Sequence, residues 1–207
     1  MAKSKTEIPF SFKIGFIALV MASTLGYSII RKRKIESLTS SENFLILKQM
    51  PEFNFKRIPG YEQNQEPITN ENVFTGSNSE ALLVHFWGTW CAPCEAELPE
   101  FISFASSLKS RGVKALLLAV NDEDKKILKF MKRFGQLPEN IFLVHDKGGG
   151  SMLKFGTVKV PETYLFSKNG KNLNKFIGPQ DWKHSSYKKR MDFYLSSLNP
   201  DQNSDSN

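Results

Sequence analysis

The sequence predicts an α/β domain, a central mixed β-sheet flanked by helices, preceded by an N-terminal transmembrane helix. Three observations predict it. Apolar runs of strand length alternate with helical stretches from residue 81 to residue 198. The two cysteines of this 207-residue chain lie two residues apart, where an apolar run gives way to a helical stretch. A 17-residue stretch near the N-terminus, Ile14 through Ile30, carries no charge.

Residues 1–13 form a basic N-terminal segment with Lys3, Lys5 and Lys13. Residues 14–30 would reach roughly 26 Å as a helix, near the lower limit for crossing a bilayer. Lys13 can snorkel to the interface. A cleaved signal peptide is the competing reading, because Val20-Met21-Ala22 offers small residues at a cleavage position. The apolar run continues past Ala22, however, and Arg31-Lys32-Arg33-Lys34 follows directly. That pattern favours an uncleaved anchor. Residues 31–49 read as a juxtamembrane linker.

The domain is expected over residues 50–198. Met50 to Phe55 alternates and reads as an edge strand, and residues 59–72 are polar loop chemistry. Residues 81–87 and 113–120 are continuous apolar runs, hence buried strands. Residues 91–110 read as a helix bent at Pro99 and ended near Gly112. Residues 122–134 form an amphipathic helix, with Ile127, Leu128, Phe130, Met131 and Phe134 on one side and Gly135 as the stop. Ile141–Val144 is a short strand. Gly148-Gly149-Gly150 is a turn before a short helix, residues 151–155. It lacks the Gly-Lys-Ser/Thr pattern that cradles a phosphate. Residues 162–166 and 172–177 form a hairpin across Asn169-Gly170. Residues 182–198 close the domain as a helix. Residues 199–207 are a polar tail read as disordered.

Charge excludes one class of partner. The net charge is +7. Seven of the 28 basic residues and one of the 21 acidic ones fall within residues 1–34, which therefore carry +6. The remainder carries +1, without a basic stripe interleaved with aromatics, so nucleic acid is not an expected partner.

Trp90-Cys91-Ala92-Pro93-Cys94 carries the chemistry. A cysteine at a helix N-terminus meets free backbone N–H groups and the positive end of the helix dipole, which stabilise a thiolate. The second cysteine is one turn on, close enough to close a disulfide. A zinc site needs about four ligands, and there is no second Cys-x-x-Cys or His pair. Covalent haem attachment needs His at position 95, which is Glu. A structural disulfide over so short a loop would restrain the unfolded chain little. The pair reads as a thiol–disulfide redox site. Cys91 is the nucleophile and Cys94 the resolving thiol. Glu95, Glu97 and Glu100 follow; acids there raise thiol pKa and favour a reductant.

The segment His85 to Cys94 resembles the active-site segment of the thioredoxin superfamily. Its Phe-Trp-Gly-Thr-Trp-Cys-x-Pro-Cys form is similar to the membrane-anchored TlpA/ResA/CcmG-like branch. Val160-Pro161-Glu162-Thr163 resembles that family's cis-proline strand, and Pro99 matches the proline within its active-site helix. The resemblance implies a thioredoxin-like fold and a thiol–disulfide oxidoreductase. It implies a Cys91–Cys94 redox disulfide, proton handling by Glu97, and a cis bond before Pro161. Trp90, Pro93, Val160 and Pro161 would shape the site and bind substrate. It further implies exported protein substrates such as apocytochrome c, a membrane thiol as electron donor, and neither cofactor nor metal. His85 stands where cytoplasmic thioredoxins carry a buried acid; it reads either as a proton relay to Cys94 or as a hydrogen-bonded strand histidine. His145 and His184 show no constellation.

A monomer is expected, on the periplasmic side of a bacterial inner membrane behind a single span. Charge is balanced across residues 14–30, three lysines before and four basic residues after, so orientation follows the resemblance rather than the positive-inside rule. A disulfide oxidase or isomerase, and a tethered non-catalytic binding module, are the alternatives.

Overall fold

β3 (Ala81–Trp87) organises the domain. All seven of its residues are buried, so both of its faces need cover. It pairs in parallel with β4 (Val113–Val120), which pairs in parallel with β5 (Ile141–Asp146). On its other side it runs antiparallel to β6 (Glu162–Ser167), and β6 to β7 (Asn172–Ile177). Two short strands, β1 (Asn54–Arg57) and β2 (Ile68–Thr69), complete a mixed sheet of order β2-β1-β5-β4-β3-β6-β7.

This computed structural model describes residues 21, 23–30, 47–76 and 79–198. Residues 47–207 form one compact unit and residues 1–46 another. In the first unit residues 21 and 23–30 are helical. No helix among the described residues is long and apolar enough to cross a membrane. The basic segment 1–13, most of the anchor expected over 14–30, residues 31–46 of the linker, and the tail 199–207 lie outside the described residues.

Four helices flank the sheet: α1 (Ala92–Ser107), α2 (Asp124–Met131), α3 (Gly150–Phe155) and α4 (Ser185–Ser196). The pleat of β3 sorts its side chains. Leu83 and Trp87 join a core with Leu98 and Phe101 of α1, Ile127 and Phe130 of α2, and Met191 of α4. Leu82, Val84 and Phe86 face the opposite core, with Phe55, Phe155 and Tyr164. His85 alternates with Leu82, Val84 and Phe86, so it faces α1.

Several boundaries differ from the sequence reading. The strand expected at the edge over residues 50–55 is β1, and it sits inside the sheet between β2 and β5. The polar stretch 59–72 contains β2, whose two residues hold β1 off the edge. The second helix starts at Asp124 rather than Asp122, because the Asp122 carboxylate binds the backbone N–H of Glu123 at 2.8 Å and of Thr89 at 2.6 Å. It ends in a 3-10 turn, Lys132–Phe134, before Gly135. The closing helix starts at Ser185, because Trp182 turns into the core against Phe104 and Phe176 and His184 caps the first turn by accepting from Ser186 N. Gly112 adopts φ 70° after α1 and a 3-10 turn, the left-handed conformation glycine tolerates.

Candidate active site

The site lies where β3 ends and α1 begins. Residues 88–90 turn the chain between them and are fastened to the end of β4. The Trp90 indole N–H donates to Val120 O at 3.0 Å. The Thr89 hydroxyl donates to Asp122 Oδ1 at 3.0 Å. Gly88 permits this return: a Cβ there would lie 2.5 Å from Trp90 Nε1. Cys91 follows as the N-cap of α1, with Pro93 in the first turn, where a missing N–H costs no helical bond. Cys91 Sγ accepts from Cys94 N at 3.3 Å.

Cys91 and Cys94 form a disulfide, with Cα atoms 5.3 Å apart. Cys94 is fully buried. Cys91, the expected nucleophile, is only 6 % exposed. Its sulfur turns toward Cys94 and the Val160 carbonyl, 3.8 Å away. A disulfide sulfur has no proton to donate, so this contact becomes a hydrogen bond only on reduction. The Val160–Pro161 peptide is cis. Trp90 is 54 % exposed beside the disulfide, whereas Trp87 is fully buried in the core.

The three acids of α1 have different surroundings. Glu95 faces Arg133 at 3.8 Å, and Glu100 pairs with Lys183 at 2.7 Å. Glu97 meets no cation among the described residues. It is buried, and its Oε2 accepts from Gln180 N at 2.7 Å. Burial pushes its pKa up to about 7, against the opposing effect of the Gln180 N–H. Its Oε1 lies 3.6 Å from His85 Nε2, just outside hydrogen-bond reach.

His85 is fully buried, stacked on Phe101 at 4.2 Å, with Nδ1 2.8 Å from Thr163 Oγ1. Burial lowers its pKa to about 3, so it stays neutral. The facing of His85 and Glu97 is therefore not an ion pair at neutral pH. His85 Nε2 and Glu97 Oε1 are both buried without a hydrogen-bond partner.

His145, for which the sequence shows no constellation, has a structural role. Its Nδ1 contacts Asp124 Oδ1 at 2.6 Å and its Nε2 contacts Asp122 O at 3.1 Å. Together with Asp122 it fixes the end of β4 against the Thr89 loop. Asp122 and Gln180 escaped the sequence reading altogether. The signal for Asp122 was slight: an Asn-Asp pair closing an apolar strand, with Asn121 at φ 50°. No group of three His, Cys, Asp or Glu among the described residues converges to hold a metal ion.

Residues 46–172 match the AhpC/TSA family. The chain belongs to the AhpC/TSA family. This member is 26% identical over 185 residues to the thiol-disulfide oxidoreductase ResA of Bacillus thuringiensis subsp. konkukian, covering 89% of this chain and 94% of that one. It is 27% identical over 114 residues to sporulation thiol-disulfide oxidoreductase A of Bacillus subtilis, covering 54% of this chain and 68% of that one. Its fold matches a solved thiol:disulfide interchange protein of the thioredoxin family from Chlorobium tepidum, with TM-score 0.54, 18% identity, 72% of this chain and 96% of that one covered. The fold is thioredoxin-like, and with its Cys91–Cys94 pair this AhpC/TSA member is a thiol–disulfide oxidoreductase.

Proposed function

We propose that this protein reduces disulfides of exported proteins, apocytochrome c among them, during cytochrome c maturation. It does so from the extracytoplasmic face of a bacterial inner membrane, held by a single span over residues 14–30. The observation that carries the direction is Glu97. It is a buried carboxylate facing no cation among the described residues, one turn beyond Cys94. Negative charge there disfavours the thiolate form and so favours the disulfide, the mark of a reducing couple.

The cycle starts when a membrane dithiol reduces the Cys91–Cys94 disulfide and is itself oxidised. Cys91 thiolate, at the helix N-terminus, then attacks one sulfur of the substrate disulfide. A mixed disulfide forms, and the other substrate sulfur leaves as a thiolate that takes up a proton. Cys94 must lose its proton to attack Cys91 Sγ. Glu97 takes that proton, since a carboxyl with pKa about 7 exists in both forms near neutrality. The attack reforms the Cys91–Cys94 bond and releases the reduced substrate. Trp90, Pro93, Val160 and the cis Pro161 shape the surface on which the substrate backbone lies. His85 stays neutral beside Glu97, so it relays a proton only by accepting it at one ring nitrogen while releasing another from the other nitrogen.

The test is the reduction potential of the full chain in detergent, equilibrated in thiol buffers. A value near or below about −250 mV is expected of a reductant. A value of roughly −120 to −180 mV would place it with oxidases and isomerases and overturn the assigned direction.

A further inference from the structure

The segment joining β7 to α4 reaches back to the site at two points. Gly178 N donates to Pro161 O at 2.9 Å, and Gln180 N donates to Glu97 Oε2 at 2.7 Å. The Gln180 side chain fixes this segment. Its Nε2 donates to Ile177 O at 3.0 Å and to Gly178 O at 2.8 Å. Its Oε1 accepts from the Tyr187 hydroxyl at 2.6 Å. The Tyr187 ring is seated between Trp182, at 5.0 Å, and Phe176, at 5.9 Å. A hydrogen-bonded line therefore runs from the first turn of α4 to a buried carboxylate of α1.

We infer that Gln180 and Tyr187 are positioning residues for Glu97, locking the backbone N–H that holds one carboxylate oxygen so that the other is the proton site. The inference rests on the reading that Glu97 carries the exchange proton. With Oε2 held by Gln180 N, Oε1 is the oxygen left without a partner, and it is the one turned to His85. The groups facing Glu97 are His85 from β3, the Trp182 side chain from the same connection, and Glu100 on its own helix, itself paired with Lys183. None of these supplies a fixed cation to Glu97. The Gln180 N–H, ahead of the Trp182 side chain, is the main group that favours its charged form, and loosening that donor raises the pH at which the carboxyl ionises.

The experiment uses the full chain in detergent, with Tyr187→Phe, Gln180→Ala and Glu97→Gln. The carboxyl infrared band that Glu97→Gln deletes is titrated, and the rate of exchange with a small aromatic disulfide is followed over the same pH range. Tyr187→Phe removes one hydroxyl and keeps the ring; Gln180→Ala keeps the backbone donor and frees the segment. Both variants are expected to move the carboxyl midpoint up by about half a pH unit, with the inflection in rate moving alongside. An unmoved midpoint in both variants overturns the positioning role and leaves the Glu97 reading intact. A rate profile that Glu97→Gln does not alter overturns the Glu97 reading, and the positioning role with it.

Discussion

Two buried carboxylates belong to the segments that form the redox site, Glu97 in α1 and Glu162 after the cis proline, and their surroundings are opposite. Glu162, next to the cis proline, is 1 % exposed, with Lys175 at 3.1 Å and the Tyr164 hydroxyl at 3.3 Å. Burial pulls Lys175 down, but bonds and attraction from Tyr164 and Glu162 more than offset it and leave its pKa raised. Lys175 also donates to Gly156 O at 3.0 Å. This cluster is a charged pair that fastens β7 to the turn before the cis proline. Glu97 is 6 % exposed and has a backbone amide and a neutral histidine instead. A carboxylate given a cation holds structure. A carboxylate denied one carries a proton that comes and goes near neutral pH.

The comparison breaks most visibly at Lys175. Lys175→Met strands Glu162 in the core and is expected to cost about 3 kcal/mol in urea unfolding. A loss near zero would mean that Glu162 is no more committed to structure than Glu97. Next in size, Glu97→Gln should slow disulfide exchange at neutral pH on the order of a hundredfold, measured by stopped flow, without a comparable loss of stability.

The pH dependence of unfolding sharpens the contrast further. Burial raises Glu97 to about 7, so its contribution is present below the unfolded carboxyl value and is lost as pH rises to about 7. Burial lowers His85 to about 3, so its contribution is present above the unfolded imidazole value of 6.5 and is lost as pH falls toward 3. The two slopes oppose each other in mildly acidic solution. Glu97→Gln should therefore expose a stability that rises with pH, and His85→Asn one that falls. Parallel curves for both variants would show that neither group titrates as described. The smallest effect belongs to Thr163→Val, which takes the hydroxyl from His85 Nδ1 and should cost about 1 kcal/mol.

Much of this arrangement was legible in the chain. The apolar runs 81–87 and 113–120 are β3 and β4 to the residue, because a strand buried on both faces leaves a nearly continuous apolar signature, interrupted here by His85 and Lys114. Asn169-Gly170 marked the hairpin, with Gly170 at φ 80°. The Cys-x-x-Cys was read from its own residues and neighbours, and the proline facing it from the family resemblance. What stayed hidden depends on pairing across distance. β2 is two residues in a polar stretch, and only its bonds to β1 make it a strand. His85 and Glu97 are twelve positions apart and meet because α1 crosses the face of β3. Gln180 acts on Glu97 through its main chain, which no side-chain pattern records. The late start of α4 follows from Trp182, whose pull into the core outweighs local helical preference.

The half-open Trp90 has a practical consequence. The chain holds three tryptophans, and Trp87 and Trp182 are 0% and 2% exposed. An aqueous collisional quencher therefore reaches Trp90 and leaves the other two untouched. The quenchable fraction of the native fluorescence comes from the residue adjoining Cys91. The protein thus carries its own optical reporter of the surface beside Cys91, with no dye and no added label.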